Sequence, residues 1–104
     1  MNRIEKLEEY LRATPNDSFL QHALALECIK IGEVERARGL FESVLHRDPE
    51  YVGSYYHLAK LLERTGLVQE AIPVYQKGIA VARQLNDRHS QNELQMALDE
   101  LTDD

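Results

Sequence analysis

Apolar residues return every three or four positions along nearly the whole chain, and nowhere does the pattern settle into the strict alternation of a half-buried strand. Ile4, Leu7 and Leu11, with Tyr10 beside them, predict an amphipathic helix over residues 2–13 that Thr14, Pro15 and Asn16 bring to an end. Asp17 supplies an N-cap for a second helix, whose Leu20, Ala23, Leu24, Cys28 and Ile31 keep one face apolar as far as Gly32. Residues 33–46 carry Val34, Ala37, Leu40, Phe41, Val44 and Leu45 on a third stripe, stopped at Asp48 and Pro49. A fourth face, Tyr51, Tyr55, Leu58, Ala59 and Leu62, ends at Gly66, and Val68, Ala71, Ile72, Tyr75, Ile79 and Ala82 make a fifth. The sixth helix starts near Asp87 and lines up Leu94, Ala97, Leu98 and Leu101. The expectation is an all-α chain.

The helices are not independent. An offset of 34 residues pairs Leu24 with Leu58, Ala25 with Ala59, Gly32 with Gly66, Ala37 with Ala71, Phe41 with Tyr75 and Leu45 with Ile79. Run backwards, the same offset pairs Pro49 with Pro15 and Phe41 with Leu7, so the first helix matches the second half of a repeat. A period of this length means stacked helical hairpins, each closing its neighbour's apolar face. The paired alanines let antiparallel helices approach, and Gly32 and Gly66 sit where a helix must stop and turn within a residue or two. Phe41 and Tyr75 are the large wedges between successive units.

Leu24, Ala25, Gly32, Ala37, Phe41 and the Asp48-Pro49 pair, followed by Tyr55, Leu58, Ala59, Gly66, Ala71 and Tyr75, give the chain a pattern that resembles the tetratricopeptide repeat (TPR) family. The resemblance implies a right-handed superhelical stack of antiparallel helix pairs. On that pattern a half repeat occupies residues 1–16, full repeats occupy 18–51 and 52–85, and a capping helix occupies 87–102, together one domain. Three departures stand out. Arg83 lies where the second repeat would have its exit proline, so the fifth helix should run on through Val81, Ala82 and Gln84. Gly78 replaces the usual small residue and predicts unusually close packing, and Pro73 forfeits a backbone hydrogen bond inside the fifth helix, predicting a bend.

Proteins similar to this family act as non-catalytic scaffolds, receiving a peptide or a helix of a partner in a concave groove lined by the first helices of successive hairpins. Carried over, that face is Phe19, His22, Leu26 and Ile29 from one hairpin and Tyr56, Lys60, Glu63 and Arg64 from the next. Members that bind chaperone tails clamp a terminal carboxylate with several Lys, Arg and Asn residues. Here Lys30, Lys60 and Arg64 are interrupted by Glu63, and no groove-facing Asn accompanies them, which disfavours that activity. A few repeats leave proportionally large end faces. A second reading is therefore a self-associating structural module forming a homo-oligomer through its groove or a terminal helix, with Ile4, Leu7 and Leu11 on the exposed side of the first helix as the place to look.

Charge narrows the partners. Within 104 residues, twelve Lys and Arg stand against eighteen Asp and Glu, a net charge of -6 that disfavours nucleic acid and anionic membrane. Residues 87–104 hold six acidic side chains and only Arg88 against them, so a basic partner could dock there, although a polar outer face is also what keeps the end of a repeat stack soluble. No run approaches the roughly 18 apolar residues of a membrane span, and a cytoplasmic location is expected. Catalysis is not expected: His22, His46, His57 and His89 do not converge, and the Asp87-Arg88-His89-Ser90 run points its neighbours about 100° apart with no oxyanion donor nearby. Acidic neighbours such as Glu8 and Glu9, or Asp103 and Asp104, lack a calcium-loop spacing, so neither metal nor cofactor is expected. The lone Cys28 falls on the apolar side of its helix, as a buried, inert thiol.

Overall fold

Three of the helix starts are fixed by side chains that the sequence puts in front of them. In the computed structural model, which describes residues 2–103, Asn2 and Glu5 form a reciprocal capping box ahead of α1 (Arg3–Ala13). The Asp17 carboxylate accepts from the Leu20 amide at 3.0 Å to open α2 (Ser18–Lys30). The Asp87 carboxylate accepts from the Ser90 amide at 3.1 Å to open α6 (Arg88–Thr102). That bond also holds the Asp87 carboxyl below the usual carboxylate range. Between them lie α3 (Val34–Arg47), α4 (Val52–Arg64) and α5 (Val68–Gln84), and the described residues include no strand.

Three of the turns share one geometry. Gly32 and Gly66 sit at φ 80° and 82°, in the left-handed region that glycine enters without steric cost. The amides that follow them, of Glu33 and Leu67, donate back to the Cys28 and Leu62 carbonyls at 2.9 and 2.8 Å. After α5 the same turn recurs with Asn86 at φ 58° and Asp87 donating to the Ala82 carbonyl at 2.9 Å. Because no proline stops it, α5 passes Val81, the counterpart of the last residue of α3, and ends at Gln84. It remains one helix through Pro73.

The chain forms two compact units, Met1–Asp48 and Pro49–Asp104. In the first, α1 packs on α2 and α2 on α3. Leu24, Ala25, Cys28, Ala37, Phe41 and Val44 are all buried. In the second, α5 lies against both α4 and α6, and α6 also touches α4. Tyr55, Ala59, Leu62, Ala71, Tyr75, Ala82 and Leu94 are buried there, each of the larger ones worth about 1.5–3 kcal/mol of transfer free energy.

The expected close approach at Gly78 is present. A Cβ added there would lie 2.7 Å from Tyr55 Cβ and 3.1 Å from Leu94 Cδ1, so α4 and α6 both use the space the missing side chain leaves. The Tyr55 hydroxyl is spent on the Pro49 carbonyl, to which it donates at 2.7 Å.

Candidate functional site

α2 is apolar on two sides. Its Leu24, Ala25 and Cys28 are buried, while Phe19, His22, Leu26 and Ile29 follow one another at helical spacing on a different face. Phe19 is 66% exposed, and His22, Leu26 and Ile29 are half-buried. The His22 ring stands edge-on to Phe41, centroids 5.5 Å apart, so it forms part of the packing of α2 on α3 as well as part of the surface. Cys28, 0% exposed, has its thiol pushed up by burial against a smaller opposing pull from Arg36, and is no reactive group.

In the second unit Tyr56 and Lys60 are half-buried neighbours on α4, with Lys60 Nζ 5.8 Å from the Tyr56 ring centroid. They border a cleft of about 160 Å³ whose other wall is α6, with Glu93, Met96, Ala97 and Glu100. These α6 residues were not among the groove positions read from the repeat pattern. Glu93, Met96 and Glu100 recur at three- and four-residue steps beside the buried Leu94–Ala97 stripe, which is the signal that marks them. Met96 is 64% exposed.

Two of the expected residues play other parts. The Glu63 carboxylate accepts the hydroxyl proton of Tyr75 and lies 3.7 Å from Lys60 Nζ, so its charge is committed to holding α5 on α4. Burial first, then that hydrogen bond to a carboxylate, pushes the Tyr75 phenol well above the usual tyrosine range. Leu7, expected on the exposed side of the first helix, is instead 4% exposed: α1 packs on α2 and takes Leu7 inside, leaving Ile4 and Leu11 half-buried. Arg64 is exposed, as a surface cation would be. Arg3 and Lys30 both approach the Glu27 carboxylate, at 3.5 and 3.0 Å, which ties down Lys30 on the surface of α2.

A second concavity lies in the first unit, an open cleft of about 590 Å³ between α1 and α3. Leu11, Leu24 and Leu40 form its floor, with Arg12, Arg36 and Glu8 on the rim and Pro15 and Gln21 closing one end. Gln21 is clamped there, donating to the Pro15 carbonyl at 2.9 Å and accepting from Arg47 at 2.8 Å.

Comparison with known proteins agrees with this architecture. A family model for the tetratricopeptide repeat matches residues 29–98. A TPR repeat-containing protein of Pseudomonas aeruginosa is 26% identical over 98 residues, 94% of this chain and 93% of that protein. A tetratricopeptide repeat domain protein from Salinibacter ruber, solved by NMR, is 43% identical with a TM-score of 0.81, over 85% of this chain and 89% of its own. The TPR2B domain of yeast Sti1, solved in complex with pHsp70, superposes with a TM-score of 0.87 at 15% identity, over 95% of this chain and 79% of its own, a likeness of fold. With six helices among the described residues, the 34-residue repeat and a family match over most of its length, the chain belongs to the tetratricopeptide repeat family. No helix among the described residues is long and apolar enough to cross a membrane.

Proposed function

We propose that the protein is a non-catalytic scaffold for protein recognition, in which the second face of α2 receives apolar side chains from a peptide segment or helix of a partner. The observation that carries this reading is the Phe19–His22–Leu26–Ile29 face, which the core does not use up: Phe19 is 66% exposed at a position where solvent alone would favour a polar side chain. Tyr56 and Lys60 on α4 offer a second contact, an aromatic ring carrying a cation, suited to an amphipathic segment. The complex of the yeast TPR2B domain with pHsp70 supports the general use of this fold for binding, while Glu63, bound to Tyr75, argues against a carboxylate clamp here.

The test is quantitative recovery of a partner on immobilised protein, with Phe19→Ser and the double variant Leu26→Glu, Tyr56→Ala beside the wild type. Phe19→Ser removes an exposed ring and should leave the thermal midpoint within a degree or two while weakening partner affinity about tenfold or more, the usual cost of losing an aromatic anchor. Unchanged affinity in both variants, with folding intact, defeats the reading.

A further inference from the structure

In the second unit, the turn from α5 into α6 holds a pocket of about 200 Å³ lined by Arg83, Asn86, Arg88 and Gln91. That is below the roughly 300–1,000 Å³ of pockets that take drug-sized molecules, and it suits a compact group. All four side chains carry N–H donors, two guanidinium forks and two carboxamides, and no carboxylate among the described residues lines the pocket. Neither arginine has an ion-pair or hydrogen-bond partner among the described residues, in a chain with eighteen Asp and Glu. The acidic residue beside them in sequence, Asp87, uses its carboxylate to cap α6, accepting from the Ser90 amide at 3.1 Å. Counting it still leaves two positive charges to one negative.

Arg88 also stands at the wrong end of its helix. Cations are favoured in the last turn of a helix and disfavoured in the first, where the macrodipole is positive. Yet α6 opens on Arg88 and has no acidic residue in its first turn. Breaks with a local preference concentrate at functional sites, and an anion held between the two guanidinia resolves this one.

We propose that this pocket binds a phosphate monoester, its oxygens accepting from the Arg83 and Arg88 forks and from the Asn86 and Gln91 carboxamides. A carboxylate is the poorer match. Its two oxygens are met by a single guanidinium fork, whereas a phosphate has three terminal oxygens and a charge of about -1.5 to -2 to share between two forks. Because the arginines are exposed, the affinity is modest and falls as salt is added. The pocket shares no residue with the α2 face and stands without that reading.

The experiment follows the side-chain N–H signals of Arg83, Asn86, Arg88 and Gln91 by proton–nitrogen correlation NMR. Full-length protein is titrated at constant ionic strength with inorganic phosphate and with a short phosphoserine peptide, and acetate and the unphosphorylated peptide serve as controls. Both phosphate probes should give saturating shifts centred on the four residues, and bind about tenfold or more tightly than acetate. Arg83→Gln and Arg88→Gln should each weaken phosphate about tenfold, the cost of one hydrogen-bonded charge, and if one variant fails to fold the other carries the test. Lys77→Gln, which removes an exposed cation of α5 outside the pocket, should leave the affinity unchanged. A peptide that binds more tightly than inorganic phosphate upholds the site and assigns it to a phosphorylated partner, and equal affinities uphold it for a small phosphate. Shifts that grow without saturating, acetate that matches phosphate, or a loss in Lys77→Gln equal to that in the arginine variants overturns the proposal.

Discussion

At Gly78 the difference between one hydrogen and one methyl decides how α4, α5 and α6 meet. Helix propensity alone favours alanine there by about 1 kcal/mol. The 2.7 Å approach to Tyr55 Cβ brings the clash onto an atom fixed to the α4 backbone, which cannot swing aside. Overpacking costs about 1–3 kcal/mol, and a clash with an atom held by the backbone belongs in the upper part of that range, so Gly78→Ala should lose about 1–2 kcal/mol net, read as a lower denaturant midpoint. An unchanged or higher midpoint would show that the helices separate freely. Tyr75 makes a different prediction. Its folded ionisation lies above that of an unfolded tyrosine, near pH 10, so the unfolded chain releases this proton first. The stability it contributes is complete below about pH 10 and drains away as pH rises beyond that. Tyr75→Phe should cost about 1–2 kcal/mol at neutral pH, from the hydrogen bond lost to Glu63. It should also flatten the alkaline fall of the unfolding midpoint. Parallel alkaline limbs in the two proteins would dismiss Tyr75 as its source.

Among the elements, α5 is the one that departs from its repeat. It outruns α3 because a residue that tolerates helix, Arg83, stands where a proline would end it, and this overrun was readable from residue types alone. The turn that follows was not readable in the same way. Asn86 takes the backbone conformation that Gly32 and Gly66 take elsewhere, but asparagine also serves in ordinary loops, and its φ of 58° depends on Asp87 reaching back to Ala82. Asn86→Gly should be nearly neutral. Asn86→Val, which must hold a β-branched side chain at positive φ, should cost about 1–2 kcal/mol by thermal or denaturant unfolding. Equal stabilities would mean that the turn relaxes to another geometry.

For the molecule as a whole, positions that act through their neighbours in sequence were legible: the cap at Asp17, the start of the last helix near Asp87, left-handed turns at Gly32 and Gly66, alanines at close approaches. Roles that depend on a partner helix were hidden. Glu63 reads as a surface anion until Tyr75, twelve residues on, is seen to donate to it, and Leu7 reads as an outer residue until α2 covers it. Within each unit the flanking helices should open first. We expect amide exchange in α1 to outpace α2, and α6 to outpace α5, because Tyr10 and Met96 mark faces with solvent on them whereas α2 and α5 are packed from both sides. The opposite order in a hydrogen-exchange series measured by NMR would contradict that picture. The close approach at Gly78 has an ancestral corollary as well. Thirty-four residues earlier the matching pair is Gln21 and Val44, not Tyr55 and Gly78, so bulk has moved across the hairpin between one repeat and the next. A recombination event that copied α3 over α5 would set valine methyls into the Tyr55 ring. The two repeats share a pattern but are no longer exchangeable parts, and any lineage that duplicated or shuffled them would have to inherit both halves of a hairpin together.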